Sequence, residues 1–262
     1  MGGEKEITVK SPAEIEIMRQ ANRIAASVLQ MLEERIVPGT TTMQMDRWAE
    51  ECCRDHGASP AFRGYRGFPG NLCVSVNEVV VHGIASKKVK VAEGDIISLD
   101  FGALYKGYYG DSAITVPVGS ISDKHRQLLE VTRQALELGI RQVQVGNRIS
   151  DISKAIQTHA ERHGYSVVRD FVGHGIGRGL HEGPEVPNYV QRDKPSPRIV
   201  EGMVLAIEPM VNAGTYKVKV LKDGWTVVTA DRRLSAHFEH SVAATAAGPL
   251  VLSRREGEKT AV

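Results

Sequence analysis

The chain predicts an α+β fold in which paired helices cover a curved, mainly antiparallel sheet built from two similar halves. Three observations lead there. Gly39 precedes His56-Gly57 and Gly146 precedes His163-Gly164, each displaced by 107 positions. Glu93-Gly94 runs through a mostly apolar stretch to Asp100, and Glu201-Gly202 does the same to Glu208, 108 positions on. Pairs of helical patterns alternate with groups of β-rich segments, the order expected of helices segregated onto a sheet. His82-Gly83-Ile84 also recurs as His174-Gly175-Ile176. Two copies are too few for a solenoid. They predict one domain over 1–262, with residues near 11–115 and 122–250 related by a pseudo-twofold axis and a polar site between them.

Each element has a local cause. Ser11-Pro12-Ala13-Glu14 is a capping box with proline at the first helical position. Ile17, Met18, Ala21, Ile24, Ala25, Val28, Leu29 and Leu32 continue it at helical period, and Val37-Pro38-Gly39 stops it. A second helix runs from about Thr42 to His56 and closes on Gly57. Phe62 to Cys73 is a glycine-hinged loop presenting aromatics. Asp95–Ala103 and Tyr108–Val116 read as strands joined around Tyr105-Lys106-Gly107. Ser122 caps a helix to about Leu138, and another runs from about Ser150 to His163. Met203–Glu208, Trp225–Thr229 and Phe238–Val242 are further strands, with Tyr216–Val220 as a connecting one. The tail from Glu256 is expected to fray.

Bulk properties exclude several classes. A net charge of +2 on 262 residues gives no broad attraction for nucleic acid or a membrane surface. No apolar run approaches the length of a membrane span. Cys52, Cys53 and Cys73 form neither a zinc-finger spacing nor a disulfide framework. The start, Met1-Gly2-Gly3, has no apolar leader core, and Glu6 stands where myristoylation favours Ser or Thr. A soluble, cytoplasmic protein is expected.

The chemistry concentrates in carboxylates. If Leu104 pairs with Gly107, Asp100 lies directly opposite Asp111, with Cβ atoms about 4.5–5.5 Å apart; a bulge at Gly107 would shift the register. Two unrelated aspartates on a solvated hairpin face are the bland alternative. The second half weighs against it. Glu208 ends an apolar strand before Pro209, and Glu239 sits in Ala236-His-Phe-Glu-His-Ser241. Charges in such settings need partners. Four carboxylates carry −4, which two divalent ions would neutralise, with His174 as a neutral nitrogen ligand. Glycines at 173, 175, 177 and 179 are read as letting backbone approach a ligand. They do not form a dinucleotide fingerprint, and His174 to His181 is not a zincin motif. One histidine alone is more often structural; His82, His174 and His181 clustered near carboxylate strands reverse that.

These residues resemble the type I methionine aminopeptidase family, whose fold is called pita-bread. The matching words are Asn77-Glu78-Val79-Val80-Val81-His82-Gly83, Gly173-His174-Gly175-Ile176-Gly177, Ile207-Glu208-Pro209 and Phe238-Glu239-His240, in a likeness running from about Ser11 to Val251. The short N-terminus looks like the minimal bacterial or organellar form. The resemblance implies two divalent metals (Co, Mn, Fe or Zn) held by Asp100, Asp111, His174, Glu208 and Glu239. Asp111 and Glu239 would bridge them, and water activated there would attack the first peptide bond. It makes Glu208 the general base, with His181 near the scissile carbonyl and His82 on the amine side. Oxygen-rich ligation with one nitrogen suits Mn, Fe or Co better than a structural zinc. Tyr65, Phe68, Cys73, His82 and Trp225 would surround the methionine side chain. Phe62 stands where many relatives carry a smaller residue, often cysteine, so a tighter pocket is expected. From spacing alone, Tyr65, Phe68 and Trp225 read as ordinary core. The implied substrate is the N-terminal methionine of nascent polypeptides with small second residues. A monomer, a transient ribosome contact, and no membrane or sequence-specific nucleic-acid partner complete the expectation. A prolidase-type enzyme and a non-catalytic binding protein of the same fold are the competing readings.

Overall fold

A computed structural model describes residues 6–258. Its first half contains helices α1 (Pro12–Arg35) and α2 (Thr42–Asp55), then strands β1 (Ser59–Pro60), β2 (Cys73–Val76), β3 (Val79–Val81), β4 (Ile96–Tyr105) and β5 (Tyr108–Pro117). Helices α3 (Asp123–Ile140) and α4 (Ile149–Arg162) open the second half. Strands β6 (Ser166–Val167), β7 (Gly173–Gly175), β8 (Glu182–Val186), β9 (Val204–Ile207) and β10 (Met210–Asn212) follow. The last are β11 (Val218–Val220), β12 (Val227–Thr229), β13 (Ser235–His237), β14 (Glu239–Thr245) and β15 (Gly248–Val251). The caps act as expected: Ser11 and Glu14 bond reciprocally, and the glycines closing α2 and α4, Gly57 and Gly164, have φ of 73° and 81°. Trp225 is a correction. It lies in the turn before β12, where the Asp223 carboxylate accepts from its backbone N–H and that of Thr226.

The main sheet is antiparallel, curved and ordered β1-β4-β5-β14-β9-β7-β8, with β2 also on β4 and β15 on β14. Alternation along its strands makes two different faces. One carries Ile97, Leu99, Phe101, Ile114, Val116, Leu205, Ile207, Val242 and Ala244, which pack with all four helices into the main core. Burying each large side chain there stabilises the fold by about 1.5–3 kcal/mol. Helix α1 approaches so closely that a Cβ on Gly110 would meet the backbone of Ala21 and Asn22 at 2.5 Å. Polar and site residues occupy the other face.

The seam between the halves is short. Strands β5 and β14 share only Glu239 opposite Ala113 and His240 opposite Ser112. Hydroxyl groups extend it: Ser112 Oγ donates to Glu239 O at 2.8 Å, Ser241 Oγ to Asp111 O at 2.9 Å, and Thr115 Oγ1 to His237 O at 2.7 Å.

The tail is anchored where fraying is expected. Glu258 lies 3.4 Å from His240 Nε2 and 3.3 Å from Arg255 Nη2, while Lys259 and Thr260 lie outside the described residues. Burial pushes the Glu258 carboxyl up, but His240 and Arg255 outweigh it and hold it down at about 2.

Gly110→Ala forces α1 off the sheet. It should destabilise the protein by about 1–3 kcal/mol, the usual cost of overpacking. Thermal unfolding measures this; an unchanged midpoint would mean that α1 does not rest on β5 as described.

Candidate metal centre

The sheet ladders put the predicted ligands on one face. His174 on β7 is opposite Ala206 on β9, and Ala206 is opposite Ser241 on β14. Glu208 and Glu239 are two residues along from Ala206 and Ser241, so they share that face. Glu239 is opposite Ala113, which is opposite Asp100 on β4, and Asp111 is two residues from Ala113. Five side chains from four strands and a strand end therefore converge. Donor atoms of Asp111, His174 and Glu239 lie within 4.8 Å of one another, all three residues buried. Glu208 Oε1 is 3.6 Å from His174 Nε2, its side chain 14% exposed.

Asp100 and Asp111 are not directly opposite. Tyr105 pairs with Tyr108 around Lys106-Gly107, so Asp100 faces Ala113 and Asp111 faces Gly102. Lys106 and Gly107 both have positive φ, 48° and 79°, the two-residue turn whose twist matches its strands. The register moves by two, which preserves the face. A diagonal pair is roughly 7–8 Å apart, wide enough for a cation between the carboxylates.

The glycine run also has a packing role. Added Cβ atoms at Gly173 and Gly175 would strike Ala206 O and Gly183 O, and at Gly177 and Gly179 they would crowd Glu182. These glycines let strands and side chains of the protein itself pack closely around His174.

Electrostatics mark the cluster as incomplete without cations. Burial pushes Asp100 up to about 7. Burial first, and then the neighbouring carboxylates, drive Asp111, Glu208 and Glu239 well above the carboxylate range. Asp100 Oδ1, Asp111 Oδ1 and Glu239 Oε1 are buried without a hydrogen-bond partner. Orphaned carboxylate oxygens around one imidazole nitrogen fit a divalent ion that prefers oxygen. The His174 Nδ1 hydrogen bonds to Gly175 O at 2.9 Å, so Nε2 is the atom that could ligate a metal.

Auxiliary residues form the wall beside the carboxylates. The His181 ring is 4.2 Å from His174, and its Nδ1 is 2.8 Å from the Tyr65 hydroxyl. Cys73 is directly opposite Asp100, and burial followed by the nearby carboxylates pushes its thiol well up, so it is a small apolar wall. Phe62, Phe68 and Cys73 belong to one apolar cluster, with Tyr65 and Trp225 packed against it. The Phe62 ring lies over Gly102, opposite Asp111. Trp225 is edge-on to Phe68 at 5.2 Å and to His82 at 6.0 Å. Burial lowers His82 to about 4 and, with His82 as neighbour, His237 to about 3. Two residues were not foreseen. His237 lies 3.8 Å from Glu208 Oε2, and Phe171 is edge-on to His82 at 5.4 Å. The only sequence signal for His237 was its place two residues before Glu239.

An antiparallel sheet that gathers buried carboxylates and one imidazole on one face defines a metallohydrolase-type centre. Residues 16–246 match metallopeptidase family M24. The chain is 52% identical to methionine aminopeptidase 1 of Bacillus subtilis (strain 168), over 95% of this chain and 99% of that one. It is 50% identical to a methionine aminopeptidase of Clostridium acetobutylicum, over 94% and 98%. The crystal structure of methionine aminopeptidase from Thermotoga maritima superposes with a TM-score of 0.93 at 43% identity, covering 95% of this chain and all of that one. The chain belongs to metallopeptidase family M24, on its methionine aminopeptidase branch, and has the pita-bread fold.

Without metal, each raised carboxylate holds its proton to higher pH folded than unfolded. The folded state then binds more protons, so stability falls as pH rises through the window. His82 and His237 act oppositely, but only below their ordinary 6.5. Above that value the carboxylates are left alone. In chelator, the unfolding midpoint should fall from pH 6.5 to about 8, and saturating Mn(II) should abolish the fall. A midpoint that rises across this range in chelator would contradict the picture.

Proposed function

We infer that this chain is a metal-dependent aminopeptidase that removes the N-terminal methionine from polypeptides, preferring small second residues. The observation that carries the reading is the donor cluster of Asp111, His174 and Glu239 beside Glu208, with Cys73 of an aromatic pocket paired directly across from Asp100 on the adjoining strand. Asp100, Asp111, His174, Glu208 and Glu239 are the residues that would hold two divalent ions, Mn, Fe, Co or Zn. Such ions, when bound, supply a nucleophilic water at neutral pH and polarise the scissile carbonyl.

The chain's own residues do the rest. Glu208, beside His174 with its side chain 14% exposed, takes the proton from the attacking water. His181, braced by Tyr65, steadies the scissile carbonyl, and His82 assists the amine side. Burial keeps the His82 imidazole neutral, so it adds no cation that would repel the ions. Phe62, Tyr65, Phe68, Cys73 and Trp225 hold the methionine side chain, whose thioether contacts aromatic faces favourably. The reading extends to nascent polypeptides as substrate, a monomeric cytoplasmic enzyme with transient ribosome contact, and a duplication relating 11–115 to 122–250 within one domain. The order β4-β5-β14-β9 supports that duplication by flanking one seam with a hairpin-like pair on each side.

Metal-dependent release of methionine from Met-Gly, exceeding release from Met-Leu, and no release from X-Pro peptides is the expected assay result. Preferential X-Pro cleavage would replace the reading with a prolidase-type activity. Glu208→Gln should lower kcat on the order of 10²–10⁴-fold, the typical worth of a general base. Near-normal kcat with metal bound would remove Glu208 from that role. His174→Ala should instead weaken metal binding, with partial recovery in excess metal. Phe62→Cys should relax the ratio of kcat/KM between Met and Leu substrates, within the roughly 10–200-fold that one methylene-sized change is worth. An unchanged ratio would exclude Phe62 from the pocket.

A further inference from the structure

The segment before α1 carries a buried cation that the proposed chemistry does not use. Lys10 Nζ donates to Glu182 Oε2 at 2.7 Å and to Thr8 Oγ1 at 2.5 Å, with side chains only 5% and 12% exposed for the ion pair. The Thr8 hydroxyl donates to the same carboxylate oxygen. The other oxygen, Glu182 Oε1, accepts from Gly179 N at 2.8 Å and closes the turn Gly179–Glu182 that contains His181. Burial alone would push the Glu182 carboxyl up, but Lys10, Thr8 and Gly179 N–H outweigh it and keep it below its usual range.

Backbone contacts run beside the pair. Gly183 N donates to Glu6 O at 3.1 Å, and Lys10 N donates to Gly202 O at 2.8 Å. The segment therefore straps the His181 turn to the Glu201-Gly202 turn that leads into β9 and Glu208. No slack exists beneath it, since a Cβ on Gly177 would meet Lys10 Cε at 2.5 Å and Glu182 Oε1 at 2.8 Å. A lysine this buried is rare unless paired, and an exposed turn would not need one.

We propose that the Lys10–Glu182 pair is a positioning device for His181, by which residues 6–10 fix that imidazole against Tyr65 and His174. It rests on the role given to His181 above. Neither Lys10 nor Glu182 is a metal ligand, so its loss acts on geometry and not on metal content.

A double-mutant cycle separates positioning from simple stapling. With Mn(II) saturating and Met-Gly as substrate, Lys10→Met should lower kcat about 10–100-fold, the scale of a displacement near 1 Å. Metal affinity and KM should change little, and Lys10→Arg should restore most of the rate. In a His181→Ala background, Lys10→Met should change kcat less than about 2-fold, because coupled residues are not additive. In the metal-free protein, amide exchange at Gly179 and Gly183 should speed up in Lys10→Met and not in Lys10→Arg. Should Lys10→Met fail to fold, Glu182→Gln, which keeps an acceptor for Gly179, enters the same cycle with the same expectations. Additive losses, or normal kcat in a folded variant, overturn the proposal. Normal kcat in His181→Ala alone overturns it together with the His181 role, while metal-dependent methionine release stands, so the two readings fail separately.

Discussion

Four carboxylates on one buried sheet face set the terms for the rest of this structure. Removing ionised carboxylates from water without partners is costly, and their mutual repulsion adds to the cost. The fold does not spread them out. Asp100, Asp111 and Glu239 each keep an unpartnered buried oxygen, and no lysine or arginine pairs with any of the four among the described residues. Such a cluster is compatible with bound cations, which would offset the cost of burying these residues.

The architecture holds this unfavourable arrangement by assigning the two faces of one sheet opposite tasks. Leu99, Phe101, Ile114, Leu205 and Val242 anchor the strands to the helices on one side. Their alternating neighbours are thereby aimed the other way, at the site. Main-chain groups next to the donors are pinned as well. Ser112 and Ser241 bond across the seam at Glu239 and Asp111, and Asn188 Nδ2 donates to Glu208 O at 3.1 Å. The donors thus converge from rigid strands, the condition under which geometry can be kept close enough for metal chemistry.

Much of this was legible in the sequence, for identifiable reasons. Capping boxes, closing glycines and alternation are local signals, and the helices and central strands followed them within a few residues. The gathering of buried carboxylates was legible because Glu208 and Glu239 are charges in apolar surroundings. Register was not, because Lys106 adopting positive φ is decided by strand twist and not by its own preference. The packing role of the glycine run around His174 was not legible for a related cause: what crowds those positions is Gly183, Ala206 and Glu182, visible only once β7, β8 and β9 are side by side. Lys10 and His237 passed unnoticed because each acts through a partner far along the chain. Glu258 was taken for part of a fraying tail for the same reason.

The central claim is that this sheet face would hold divalent metal at Asp111, His174 and Glu239. Anomalous diffraction from crystals grown with Mn(II), with metal content measured on the same protein, tests it most directly. The account predicts divalent ions at this cluster, held by residues from the set Asp100, Asp111, His174, Glu208 and Glu239. Ions bound elsewhere, or protein that stays metal-free in saturating Mn(II) while folded, would contradict it.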